Sequence, residues 1–402
     1  MKILFKFTLV VAFYGIILFP ARATYSSLYV FGDALSSTTD NTPGSDYYGK
    51  RFSNGRVWVE VLAQRQGLVY DASKNNSYYD HNSSNLVVEL KTFSAPPNPA
   101  NALFVVWVCN ADTFDASSWH LTAAQWTTAI KQAQTNHLQI ITNLYAKGVR
   151  NLVLPNAVDI SKIPAYNQST FTNTMRNGCI AYNLAFSNTI NQARLLCPGL
   201  KIIAPDFFTL LNNVLTNAAS YGLTNALANG YSIDASSAYN YGYPHATTNG
   251  FGTNFVYWDY MNPTAKFHAV IADVAQQLIS PVQISQLTVL NGSNRLDVVN
   301  VPVGLNGIVE GITQTNQVQP VWTITQNFNS TNTTQYTFVI ATLPYVLSGS
   351  GGSSGSGGVG NTNGPPSPGD PRYSGTNSVF DPNEPCQVQL YRLRFPYAWS
   401  WP

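Results

Sequence analysis

Residues 103–108 read Leu-Phe-Val-Val-Trp-Val, apolar side chains without a break. A strand with one wet face alternates apolar and polar residues, so an unbroken run describes a strand buried on both faces. Shorter stretches of similar texture occur at 28–31, 151–154 and 201–204. Helical patterns separate and follow them. They cover 56–66, with Val57, Val61 and Leu62 on one face; 123–147, stopped by Gly148; 171–196; and a last helix from about Pro263-Thr264 to 279. Helices of this length between strands imply right-handed crossovers and a parallel sheet. The chain is therefore expected to be α/β, with its ligand beyond the carboxyl ends of the strands.

After Pro281 the texture changes. Stretches 282–290, 295–301, 321–328 and 336–342 show β-branched alternation, and Asn291-Gly292 and Asn306-Gly307 read as hairpin turns. The pattern predicts an α/β domain over 24–281 and a small all-β domain over 282–402. A Gly/Ser run at 348–360 leads into a Pro-rich piece ending at Pro371. Such composition buries too little surface to order itself, so 348–371 is expected to be a flexible loop. Residues 387–395 resemble a final strand returning to the β domain.

At the N-terminus, Lys2 and Lys6 precede an apolar run at 7–19 and then Ala21-Arg22-Ala23. This is the pattern of a signal peptide, with cleavage expected after Ala23 and the mature chain secreted. The run is short for a membrane span, and no later stretch is long and apolar enough to make one. With 21 Lys and Arg against 19 Asp and Glu, the net charge of +2 offers nothing for nucleic acid to bind. Hydrophobic residues at 45% are enough for a large core. The four cysteines form no C-x-x-C pair and there is no His cluster, so no metal or cofactor is expected. Cys109 reads as a buried thiol, and Cys179 with Cys197 could pair in an oxidising compartment. His81, His120, His137 and His245 have no motif around them and read as surface or loop residues.

Four blocks fall at strand ends or helix starts. They are Phe31-Gly32-Asp33-Ala34-Leu35-Ser36, Arg51-Phe52-Ser53-Asn54-Gly55-Arg56, Trp107-Val108-Cys109-Asn110-Ala111-Asp112 and Trp258-Asp259-Tyr260-Met261-Asn262-Pro263-Thr264. In this order the chain resembles the GDSL (SGNH) family of ester hydrolases over residues 25–279. Tyr47-Tyr48-Gly49, Leu154-Pro155-Asn156 and Tyr221-Gly222-Leu223-Thr224 support it. The resemblance implies a flavodoxin-like, doubly wound parallel sheet of the SGNH-hydrolase type. It implies a small-molecule ester, a lipid or an acylated glycan as the ligand. It also implies a Ser nucleophile after the first strand, a His base oriented by an Asp three residues earlier, and an oxyanion site made by a backbone N–H, a Gly and an Asn.

Three positions depart from that pattern. Ala34 stands at the nucleophile position, and a methyl group cannot attack a carbonyl. Asn262 stands at the base position while the orienting Asp259 is kept, and a carboxamide does not take a proton near neutral pH. In the third block Ala111-Asp112 replaces the usual Asn-Asp, with Asn110 one residue early. Gly55 keeps its place in the oxyanion pattern. Ser36 and His268 are the fallback nucleophile and base, although Ser36, Ser37, Thr38 and Thr39 read more simply as caps of a following helix. Asp33 and Asp112 read as two carboxylates near one pocket. Three readings follow: a hydrolase homologue with residual or altered activity, a binding protein that keeps the pocket without the chemistry, and an extracellular adhesive component.

Overall fold

The computed structural model describes residues 25–44, 46–290, 293–314, 322–341 and 388–395. The signal-peptide pattern, Asn291-Gly292, the 348–371 loop and Cys386 lie outside them.

Strands β1 (Leu28–Gly32), β2 (Leu103–Trp107), β3 (Asn151–Val153) and β4 (Lys201–Ile203) form one sheet in the order β1-β2-β3-β4, all parallel. Every residue of β2 is buried, as its unbroken apolar run requires. Its two faces meet different aromatic groups: Trp107 packs edge-on against Trp58 and Phe207, and Phe104 stacks on Tyr29 and meets Phe93 edge-on. The free edge of β1 is covered by 75–78. There the Asn76 N–H donates to the Val30 carbonyl at 2.8 Å and the Tyr78 N–H to the Gly32 carbonyl at 3.2 Å, in a parallel sense. Counting this segment, the order becomes the second-first-third-fourth-fifth arrangement of a flavodoxin-like sheet. Its sequence, Asn-Asn-Ser-Tyr, has no strand signal because backbone bonds and the polar side chain of Asn75, not an apolar face, hold it to β1 and its neighbours.

Helices α1 (Trp58–Arg65), α2 (Ser83–Glu89), α3 (Cys109–Ser118), α4 (Ala123–Ala146), α5 (Thr172–Leu196), α6 (Phe207–Thr216) and α7 (Ala265–Ile279) supply the other layers. α1 packs on α7, while α4 packs on α5, α2 and α3. A two-residue ladder, β5 (Leu227–Ala228) with β6 (Tyr231–Ser232), lies between α6 and α7 in the chain. No helix among the described residues is long and apolar enough to cross a membrane.

Cys179 and Cys197 do not pair: they are free thiols, one within α5 and the other at its C-cap. Eighteen helical positions separate them by roughly 27 Å, far beyond disulfide reach.

Beyond α7 the described residues form strands. β7 (Gln283–Leu290), β8 (Ser293–Val299) and β11 (Gln335–Ala341) form one antiparallel sheet with β8 central. β9 (Asn306–Gln314), β10 (Thr323–Asn329) and β12 (Val388–Arg394) form another with β9 central. Leu296, Val298, Val309, Phe338, Ile340, Tyr391 and Phe395 make the shared core. Asn306-Gly307 is not a turn: it opens β9, opposite Asn329 and Phe328. Gly307 is used for room, since a Cβ there would collide with the Phe328 and Phe395 rings. The β part is tied to α1, where Arg65 Nη1 donates to the Val303 carbonyl at 3.0 Å and the Val303 N–H to the Arg65 carbonyl at 3.2 Å.

Candidate active site

The chain leaves β1 in a tight turn. A Cβ on Gly32 would lie 2.7 Å from the Ser36 side chain and 3.0 Å from Ser77 Oγ, so only glycine fits. Asp33 Oδ1 accepts the Leu35 N–H at 3.0 Å, and the Ser36 and Ser37 N–H groups donate to the Asp33 and Ala34 carbonyls at 3.0 and 3.3 Å. Ala34 is half-buried in this turn. No helix follows it, which corrects the capping role expected for Ser36 to Thr39. Ser36 is instead buried, its Oγ accepting the Trp58 Nε1–H at 3.0 Å and its carbonyl accepting from Asn75 Nδ2 at 2.8 Å. Thr38 bonds to the Tyr70 hydroxyl at 2.7 Å.

The second and fourth blocks become one surface. Ser53 Oγ donates to the Pro263 carbonyl at 2.9 Å, and Asn54 Oδ1 accepts the Ala265 N–H at 2.8 Å across 211 positions. Asn54 therefore satisfies one of the open donors of α7, beside Thr264, the helix's own N-cap. A Cβ on Gly55 would lie 2.6 Å from Ala265 Cβ, so this glycine sets how closely the second block approaches α7.

Asp259 is buried and heavily hydrogen-bonded. Its Oδ1 accepts the Met261 and Asn262 N–H groups at 2.8 and 2.7 Å, and Oδ2 accepts the Tyr47 hydroxyl at 3.0 Å. Asn262 Nδ2 lies 3.1 Å from both oxygens. Burial raises the Asp259 pKa even against these donors. Because the Asn262 nitrogen faces the carboxylate, its carbonyl oxygen is turned away from Asp259 and can only accept.

At the end of β2, Asn110 Oδ1 accepts the Val158 N–H at 3.0 Å. The Asn110 carboxamide lies beside Asp33 and favours its charged form, although no hydrogen bond of ordinary geometry joins them. Burial dominates at Asp33 and pushes its pKa up to about 7. Ala111 is buried.

Asp112 does not join Asp33. Its Oδ1 accepts the Ser83 N–H at 2.9 Å, and its Oδ2 meets the Tyr182 hydroxyl at 2.6 Å and His137 Nε2 at 3.2 Å. The carboxylate thus ties α3 to α2, α4 and α5. Two histidines expected on the surface are buried. His137 closes this Asp112–Tyr182 cluster, and His81 bonds to the Gly32 carbonyl at 3.1 Å and pairs with Glu89 at 3.2 Å. His120 and His245 are exposed, as expected. His268 is fully buried with no hydrogen-bond partner on either ring nitrogen, and burial lowers its pKa to about 3. Ser36 and His268 share no hydrogen bond.

Leu35 of the first block and Met261 and Pro263 of the fourth line one apolar cavity with Trp107, Val158 and Ile163. Its volume is about 30 Å³. Among the described residues, the N–H groups of Ala34 and Gly55 have no hydrogen-bond partner. The roles of Asn54 and Tyr47 escaped the sequence reading, because each acts on a residue some two hundred positions away.

Several solved structures are similar to this chain. An α/β hydrolase enzyme from the metagenome of Lake Arreo, Spain, is 13% identical, with 64% of this chain and 95% of that one covered and a TM-score of 0.39. An acetylxylan esterase from Geobacillus stearothermophilus is 12% identical over 48% and 83% of the two chains, with a TM-score of 0.34. An extracellular lipase from Streptomyces rimosus is 12% identical over 57% and 95%, with a TM-score of 0.32. None of the curated proteins is a significant match. Residues 28–275, which carry the parallel sheet and all four blocks, match the GDSL-like lipase/acylhydrolase family, and the chain belongs to that family.

Proposed function

We propose that this chain is a secreted GDSL-family protein that holds an ester or an acylated glycan at the family site without hydrolysing it by the serine mechanism. The pairing of Asn262 with Asp259 carries the reading. Where the family mechanism needs a base, Asn262 points its amide nitrogen at Asp259 and turns an amide oxygen away from it. That oxygen can accept a ligand's hydroxyl hydrogen but cannot remove a proton near neutral pH. Ala34, at the nucleophile position, adds no hydroxyl.

What remains suits binding. The unengaged N–H groups of Ala34 and Gly55 are two donors of the kind that receive a carbonyl oxygen. The apolar cavity at Leu35 is small, about 30 Å³, so it suits a small apolar group better than a long acyl chain. A short acyl group, acetyl above all, fits that limit. A triad rearranged onto Ser36 and His268 is disfavoured, because Ser36 is engaged by Trp58 and His268 is neutral and sealed from solvent. Secretion follows from the leader pattern ending at Ala23.

Purified mature protein assayed with p-nitrophenyl acetate and a fluorophosphonate probe tests the reading. The expected result is neither turnover nor labelling, with an acetylated oligosaccharide still raising the melting temperature. Ordinary turnover that disappears in Ser36→Ala or His268→Ala would establish a rearranged triad instead.

A further inference from the structure

We propose that a cleft between α2, α3 and α4 binds one ring of a neutral glycan, stacked on the Trp119 indole and hydrogen-bonded by Asn82, Asp115 and Gln132. The cleft has a volume of about 200 Å³. Drug-sized pockets span roughly 300–1,000 Å³, and this smaller one suits a single six-membered ring with its hydroxyls. Trp119 lines it and is 78% exposed, while Trp126 beside it is buried. An indole left in water is a large apolar face without a partner, and the C–H face of a pyranose is flat, apolar and of matching size. The backbone that carries Trp119 is held in place. It is the C-cap of α3, and the next residue, His120, takes a left-handed conformation (φ 49°) with its ring stacked on Phe171 at 4.6 Å.

The polar groups around this face are oriented by their neighbours and keep part of their capacity. Asn82 Nδ2 donates to Asp115 Oδ2 at 3.0 Å, using one of its two hydrogens. Gln132 Nε2 donates to Asn136 Oδ1 at 2.9 Å, and Asn136 is anchored on Ser83 and Ser84. The Gln132 carbonyl and the second Asn82 hydrogen remain as an acceptor and a donor, while the Asp115 carboxyl, which also lies against Asp80, adds lone pairs beyond its Asn82 contact. Sugar hydroxyls both donate and accept, so this mixture suits them. Among the described residues, no Lys or Arg lines the cleft, which therefore offers an anionic headgroup nothing to pair with. Asp112, the other carboxylate here, is already engaged by Ser83, His137 and Tyr182.

The proposal does not rest on the ester site, and its test uses ligands without ester groups, so either reading can fail alone. Cellohexaose, xylohexaose and mannohexaose are titrated calorimetrically into the full-length mature protein. At least one is expected to bind, with Trp119→Ala weakening it tenfold or more and Asp115→Asn or Gln132→Ala weakening it less. Tyr241→Ala, an exposed aromatic outside the cleft, is expected to bind as the unaltered chain does. Trp119 is mostly exposed, so its removal leaves the fold intact, which circular dichroism verifies. Failure of all three sugars to bind, undiminished binding by Trp119→Ala, or binding only of a chitosan hexamer or inositol hexakisphosphate would overturn the proposal.

Discussion

Asn262 Nδ2 sits 3.1 Å from each carboxylate oxygen of Asp259; on the proposed reading, an amide fills the space where an imidazole N–H would meet that carboxylate. The carboxylate is already aimed by Tyr47 and by two backbone N–H groups. On the proposed reading, restoring the serine mechanism needs a nucleophile and a base, while the orienting group is in place.

Ala34→Ser alone is therefore expected to give no turnover above background, because members of a triad act as a unit. Ala34→Ser with Asn262→His is expected to give measurable hydrolysis of p-nitrophenyl acetate and fluorophosphonate labelling. Its rate should stay below that of ordinary family enzymes, since a missing oxyanion donor costs about 3 kcal/mol and Asn110 has its oxygen on Val158 and its amide beside Asp33. A double variant as inert as the single one would count against the assignment of these two positions.

Gly55 and Ala265 make a steric pair. Gly55→Ala would place a methyl 2.6 Å from Ala265 Cβ and push the second block away from α7. Overpacking of this kind costs typically 1–3 kcal/mol. Adding Ala265→Gly is expected to recover most of the loss in urea denaturation, beyond the small helix-propensity cost of the new glycine. If the double variant is as unstable as the sum of the singles, the contact is not the cause.

The raised pKa of Asp33 sets a pH window. Its value of about 7, against an ordinary 3.8, means the folded state keeps a proton that the unfolded chain has lost between those limits. Stability from this residue is thus fully present below about pH 3.8 and falls as pH rises toward 7, because the folded state binds more protons there. Asp33→Asn keeps an oxygen for the Leu35 N–H and removes the titration. The stability difference between variant and parent is expected to move toward the variant from pH 4 to pH 8, by on the order of 2–4 kcal/mol. A pH-independent difference would show that Asp33 titrates normally.

Arg65 is expected to be needed by both parts of the chain. Its Nε lies 2.5 Å from Asp273 Oδ1, both residues are buried, and its Nη1 reaches the Val303 carbonyl. Arg65→Met leaves Asp273 without its cation and should cost about 3–5 kcal/mol, while Arg65→Met with Asp273→Leu should cost much less. Amide exchange at Val303, whose N–H donates to the Arg65 carbonyl, should quicken in the single variant. Equal stability of the single and double variants would rule out a buried unpaired charge as the cause.

What the chain reveals on its own is whatever depends on neighbours a few residues away. The unbroken apolar run of β2, the spans of α4, α5 and α7 and the change of texture after α7 are local periodicities, because the side chains that repeat must share one face. The motif blocks were legible as residue types, including Ala34 and Asn262. Their surroundings were not. The strand-like segment at 75–78 has no apolar signature, and Asn306-Gly307 carries a turn signature while serving as the start of β9, where Phe328 and Phe395 need the missing Cβ. Polar residues are usually exposed, so nothing in the chain alone marked His81, His137 and His268 as buried. Nor could it say that Asp112 would turn to Tyr182 while Asp33 stayed beside Asn110. Such choices belong to the tertiary structure, because burying a carboxylate or an imidazole is tolerable only where partners from distant segments arrive together.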